Sequence, residues 1–189
     1  MLIYAVLVSL LVGFLRGGRL SGLAEAPLRA VPLIFLSFGI QLALHLPVAS
    51  SLVPLEDWAG KLHLLSYLLL FSAFVVNWRL PGMPWMGFGA ALNFTVIAFN
   101  GMRMPVAEAP LRGVGLDRLA DALVADTVLT HRLLTAETRL ALLADVFPLP
   151  PPFPRPAVFS LGDVALMVGA FILVQRLMLA RGRPAAGRG

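Results

Sequence analysis

Long runs of apolar residues with almost no charge recur along this chain, and each ends in charge, glycine or proline. The first is Met1 to Leu15, MLIYAVLVSLLVGFL, closed by RGGR. The second runs from Val31 to about Val53, opened by Pro32 in a first-turn position and interrupted by Gln41, His45 and Pro47. The third is Leu62 to Val76, continuing to Leu80 through Asn77, Trp78 and Arg79, an ending suited to a membrane interface. The fourth, Trp85 to Phe99, is short and rich in Gly and Ala, which permit close helix contact. The fifth runs from about Ala157 to Leu179 and carries Ser160, Gly162 and Asp163 near its start. The pattern predicts an all-α fold: a bundle of about five transmembrane helices, with the fourth short enough to re-enter rather than cross. At about 1.5 Å per residue the first segment spans about 22 Å, so Arg16 is expected to snorkel toward the headgroups. That segment has the length of a signal peptide but lacks a preceding basic region and a small-residue cleavage site.

Between the fourth and fifth segments lies a long connection, Gly101 to Pro156, with a different pattern. Leu116, Leu119, Ala120 and Leu123 share one helical face while Arg112, Asp117, Arg118 and Asp121 turn away, predicting a short amphipathic helix. A second helix is expected from Thr135 to Ala144, capped by Thr135 and burying Leu140 and Leu143. The run PLPPPFPRP, Pro148 to Pro156, reads as an extended polyproline spacer leading back to the bilayer. The connection is thus a partly helical lid on a single domain of residues 1–189, with 181–189 a basic tail.

Composition agrees: 59% of the residues are hydrophobic and 13% charged, and the mean hydropathy is +0.86. One soluble core of this size cannot hide so much apolar surface. The net charge of +5 sits at segment ends and in the tail, which is membrane orientation and removes the case for nucleic acid. Arg16 to Ala30, the link around Arg79 and the tail with Arg181, Arg183 and Arg188 are the basic pieces. They place the C-terminus in the cytoplasm, the N-terminus outside, and both Ser51 to Lys61 and the long connection on the outer side of a bacterial inner membrane. The long connection balances six Arg against six acids. With no Cys, disulfides, thiolate metal sites and iron–sulfur clusters are excluded.

The chemistry available gathers toward the outer ends of the segments. His45 and Gln41 are i, i+4 neighbours; His63 and Ser66 open the third segment; Asn93 and Asn100 share a face of the fourth; Ser160 and Asp163 open the fifth. Asp163, an acid inside an apolar segment, is the most informative of these, and also a natural helix cap with Ser160. Arg103 and His131 would sit above them in the connection. Asn100, Arg103, His131, Asp163, His45, His63 and Asn93 therefore compose the expected ligand-binding set, beneath a lid whose Arg103, Arg112 and Arg132 are available to a phosphate or carboxylate. His45, His63, His131 and Asp163 could alternatively assemble a divalent metal or haem site, for which sequence spacing gives no signal, and no cofactor is specified. No hydrolase elbow, Walker loop, zincin helix or dinucleotide fingerprint occurs. The stretch FNGMRMPVAEAP, Phe99 to Pro110, is first a helix exit: Asn100 for the last carbonyls, Gly101 for positive φ, Pro105 to stop continuation.

Four blocks, MLIYAVLVSLLVG followed by RGGRL, NGMRMPV, THRLLTAETRLALLADVFPLP and SLGDVALMVG, together resemble a family of uncharacterised bacterial membrane proteins, domain of unknown function 5317. The resemblance covers nearly the whole chain and implies a small multi-spanning protein without an assigned activity. It also implies an Asn-Gly and Met-Pro pair at Asn100, Gly101, Met104 and Pro105 and a Gly-Asp pair at Gly162 and Asp163. Met102 and Arg103 stand where a further Gly is expected to be common. The residues themselves favour a non-enzymatic protein that binds or transports an amphiphilic or anionic small molecule, in contact with membrane lipids. The alternatives are a structural or assembly subunit with a membrane-protein partner, or a lipid-modifying enzyme in which His131 or His63 reaches Asp163 or Asp145.

Overall fold

A computed structural model describes residues 2–46 and 53–180. Every one of the five apolar runs is helical: α1 Leu2–Leu15, α3 Val31–His45, α4 Val53–Val76, α5 Met83–Phe99 and α8 Leu161–Leu179, with a single-turn α2 Ser21–Ala24 after the first. The second segment ends as a helix at His45, and its expected continuation through Pro47, like the tail 181–189, lies outside the described residues. The connection expected from Ser51 to Lys61 is largely absent as a loop, because α4 already begins at Val53.

Two helical stretches, Trp58–Val76 and Leu161–Leu179, are long and apolar enough to cross a membrane, whereas α1, α3 and α5 are shorter apolar helices. All five nevertheless turn large apolar side chains outward, among them Leu7, Leu11 and Leu15 on α1, Phe35 and Leu42 on α3, Val75 on α4, Phe88 on α5 and Val168 on α8. Small polar side chains within them bond to their own helix: Ser66 to the His63 carbonyl at 2.7 Å, Ser72 to that of Leu68 at 2.8 Å, Thr95 to that of Ala91 at 2.7 Å. Such back-bonding removes the cost of a hydroxyl in apolar surroundings.

The tightest helix contact joins α5 to α8 through glycines spaced seven apart on each, Gly82 against Gly169 and Gly89 against Gly162. A Cβ on Gly82 or Gly89 would strike the backbone of α8, so the helices meet main chain to main chain and run antiparallel. Gly89, one half of the GxG in the fourth segment, is packing, while Gly87 lies against Trp78 and Phe74. On its other side α8 meets α1, running the same way: the Ser9 hydroxyl donates to the Phe171 carbonyl at 3.0 Å, and Gly13 lies against Met178. Arg16 does not simply snorkel; its guanidinium donates to Gln175 Oε1 at 2.9 Å. The α3 helix packs along α4, whose end is tied back to Arg29 by Asn77 through two bonds of 2.8 Å.

A capping box starts α8. Ser160 Oγ accepts from the Asp163 N–H at 3.0 Å, and Asp163 Oδ2 accepts from the Ser160 N–H at 3.1 Å. The same hydroxyl donates to Asn93 Oδ1 on α5 at 2.8 Å. Replacing Ser160 by Ala removes both functions, and equilibrium unfolding in mixed micelles is expected to show a loss of about 1–2 kcal/mol.

The long connection is a folded cap, but less helical than its pattern suggests. The amphipathic helix forms as α7, Asp117–Val124, burying Ala120 and Leu123, and is preceded by α6, Glu108–Gly113. Arg112 reaches Glu108 at 2.9 Å and Asp121 at 2.9 Å on the exposed side. The helix expected from Thr135 to Ala144 is not there: Thr138 Oγ1 turns back to the Thr135 N–H at 2.9 Å, Leu140 adopts a left-handed φ of 56°, and only a 3-10 turn at Ala141–Leu143 remains. Two small strand pairs replace it. The strand β1, Met104–Val106, pairs in parallel with β2, His131–Leu133, and β3, Phe147–Leu149, pairs antiparallel with β4, Ala157–Phe159. The proline run is therefore not an extended spacer but the bend of a hairpin, with Pro148 opposite Val158.

Candidate functional site

The stretch leaving α5 positions most of the cap's chemistry. Asn100 donates to the Val96 carbonyl at 2.7 Å, ending the helix as its residue type suggests. Gly101 has φ 71°, and Met102 follows with φ 61°, so a methionine holds a left-handed position where glycine would be unstrained. The Met102 carbonyl accepts from His63 Nδ1 on α4 at 2.9 Å, which leaves Nε2 of a neutral ring as a lone-pair acceptor. Next comes β1, with a partner on each side. His131 lies opposite Met104 in β2. On the other side the Asp145 N–H donates to the Pro105 carbonyl at 3.0 Å, and the Asp145 carbonyl accepts from the Ala107 N–H at 2.9 Å.

Below β1, helices α3, α4, α5 and α8 leave a cavity of about 190 Å³ lined by Gln41, His45, His63, Tyr67, Asn93, Ile97, Met104, Thr130, His131, Asp145 and Asp163. His45 and His131 stack edge to face with ring centroids 5.3 Å apart, and Thr130 Oγ1 lies 2.8 Å from His131 Nδ1 and 3.4 Å from His45 Nε2. Asn93 joins α5 to the start of α8, donating to Asp163 Oδ1 at 3.0 Å and accepting from Ser160. Asp145 is only 8% exposed, and its Oδ1 has no hydrogen-bond partner among the described residues. His131 Nε2 stands 3.9 Å from Asp145 Oδ2, beyond hydrogen-bond length, so the reach an acid–base pair would need is not made here.

Burial decides the charge of these two groups. It pushes the Asp145 carboxyl up to about 8, with the Asp163 charge adding to the effect. It pulls the His131 imidazole down to about 3, assisted by His45, His63 and Arg103. Near neutral pH the pair is accordingly an uncharged acid beside an uncharged base.

Two further cavities adjoin the first. One of about 280 Å³ runs inward between the helices, lined by apolar side chains including Ile34, Phe38, Leu70, Phe74, Met83, Met86 and Leu166. It shares Gln41, Tyr67, Asn93 and Asp163 with the polar cavity. The other, about 360 Å³, lies beneath α7 and shares His45 and His131.

Of the seven residues expected to form a ligand set, His45, His63, Asn93, His131 and Asp163 line the polar cavity. Asn100 and Arg103 do not. Asn100 clamps the backbone of Arg139 through bonds of 2.9 and 3.0 Å, and Arg103 is spent on the Val128 and His131 carbonyls and on Asp126. Asp163 is both the cap of α8 and a cavity wall. Tyr67 and Asp145 had no place in the expected set; the signals were a tyrosine inside an apolar run and an acid between ALLA and VF. Among the described residues no group of three His, Asp or Glu converges to hold a metal ion, which removes the geometric basis of the alternative metal site.

These features define an α-helical protein whose two longest apolar helices pass the length and composition test for a membrane span. The chain belongs to the family of unknown function DUF5317, whose pattern it matches over residues 25–175. It is similar to an uncharacterized protein of Thermotoga maritima, 31% identical over 172 residues that cover 91% of this chain and 89% of that one. No solved structure matches the chain.

Proposed function

We propose that this is a multi-spanning membrane protein that binds an amphiphilic small molecule, its polar head in the cavity beneath β1 and its apolar part between the helices. One observation carries the reading: a polar and an apolar cavity lie side by side and share the side chains of Gln41, Tyr67, Asn93 and Asp163. A purely anionic ligand has less support, because Arg103 and Arg112 are committed to partners in the cap. Five crossings are favoured by the outward apolar faces of the shorter helices and by the tryptophans. Trp58 on α4 and Trp78 just beyond its end are both half exposed, and the helix from Trp58 to Val76 is about 27 Å long, close to the thickness of a hydrocarbon core. Lys61 lies 4.3 Å over the Trp58 ring, a pairing suited to an interface. On this reading α1, α3 and α5 span by tilting little and thinning the bilayer, and the cap lies on the outer side.

The test is native mass spectrometry of protein released gently from its own membrane. A retained adduct of small-molecule mass is expected, and Ala90→Met, which fills the apolar cavity, is expected to lose it while unfolding cooperatively. A bare protomer, or an adduct indifferent to Ala90→Met, overturns the proposal.

A further inference from the structure

Resting on the amphiphile reading, the geometry points to the class of head group: we infer that the polar cavity takes a cation, an ammonium head bearing N–H donors, rather than a phosphate. Two carboxyl groups, Asp145 and Asp163, face the cavity, and no Lys or Arg is among its described lining residues. Several of the remaining polar atoms are acceptors. Asp145 Oδ1 is buried without a partner among the described residues, His63 Nε2 offers a lone pair because Nδ1 is bound to the Met102 carbonyl, and the Gln41 Nε2 amide gives one of its N–H groups to Ser66 at 3.2 Å. Helices α3 and α5 present their C-terminal, electronegative ends to this region, while the N-terminus of α8 there is already closed by Asp163. Tyr67 adds a ring shared by the two cavities, 5.5 Å from that of His63. An entering phosphate would meet carboxyls and lone pairs; an ammonium would supply the donor that Asp145 Oδ1 lacks.

An ammonium favours the ionised carboxylate, so binding displaces the proton that burial keeps on Asp145. The groups facing Asp145 from its surroundings are His131 on β2, Asp163 on α8, His63 and Tyr67 on α4 and His45 on α3, with Arg103 behind His131. His131 stays neutral through the working range, which leaves Asp145 as the titrating partner.

Three probes with one chain separate the charge inference from the reading it rests on: octylamine, octanol and octyl phosphate, titrated against the protein in phosphatidylcholine nanodiscs. Octylamine is expected to bind at least tenfold tighter than octanol, with octyl phosphate weakest. Its affinity is expected to rise about fiftyfold from pH 6 to pH 8 as Asp145 ionises. Asp145→Asn, checked for a cooperative unfolding transition, is expected to reduce octylamine to the level of octanol. If Asp145→Asn fails to fold, the pH profile of the unaltered protein decides. Octanol or octyl phosphate binding as tightly as octylamine, or a flat pH profile, overturns the cation inference and leaves the amphiphile reading standing. Failure of all three probes to bind overturns both.

Discussion

Gly82→Ala is expected to be among the most damaging single-methyl changes in the molecule, lowering stability by about 2–5 kcal/mol. Two costs coincide there. Gly82 precedes α5 with φ +90°, a conformation that L side chains rarely adopt, and its missing Cβ faces the Gly169 carbonyl oxygen and the Leu173 N–H on α8. Backbone atoms cannot swing aside as the end of a long side chain does, so relief requires α5 and α8 to separate. That would also disturb the Gly89–Gly162 contact and the Asn93–Asp163 bond one register further along. Gly39→Ala is the matching control: it lies within α3 with nothing within 4 Å of the added carbon, and a gain of about 0.5–1 kcal/mol is expected from helix propensity. Equilibrium unfolding in mixed micelles measures both. Equal effects at the two glycines would contradict the main-chain contact as the source of α5–α8 stability.

A second large effect concerns pH. The folded protein holds a proton on Asp145 to about pH 8, whereas an ordinary aspartate releases it near 3.8. Its contribution to stability is therefore fully present in acid and is lost as pH rises through that interval. His131 behaves oppositely: its folded value is about 3 against an ordinary 6.5, so its contribution is full above 6.5 and is lost as pH falls. Between pH 5 and 6 the two slopes oppose each other and stability is expected to be nearly level. Between pH 6.5 and 8 the carboxyl acts alone, and stability is expected to fall by at most about 1.4 kcal/mol per pH unit. Asp145→Asn should reverse the picture, rising from pH 5 to 6.5 and then staying level. A decline above pH 6.5 that persists in Asp145→Asn would show that another group carries it.

How much of this was legible in the chain depends on the range over which each feature is encoded. The five long helices were readable because apolar runs of that length exceed an ordinary strand and suit a buried or lipid-facing helix. Their polar ends were readable too: His45, His63, Asn93 and Asp163 stand out against residues that need no partner, and the structure brings them to one cavity with His131. The cap was less readable. Strands of three residues are too short for a period of two to emerge, and Leu140 in a left-handed turn breaks the helical pattern that Thr135 to Ala144 displays on paper. Asn100 and Arg103 looked like site residues because they are polar beside a helix exit. Their partners, the Arg139 backbone and the Val128 carbonyl, are 39 and 25 residues away, and no local pattern announces them. Tyr67 does not stand out within its apolar run, and Asp145, one residue past the expected helix, enters the sequence reading only as an acid–base alternative.

The pairing of α1 with α8 imposes an order on biogenesis. Ser9 and Gln175, 166 residues apart, satisfy each other in the interior. As the chain emerges from the ribosome, the first helix must wait, with its hydroxyl and the Arg16 guanidinium unmatched, until the last helix arrives. Docking of α8 onto α1 thus comes only after the whole cap has been made, which leaves α1 exposed for most of synthesis.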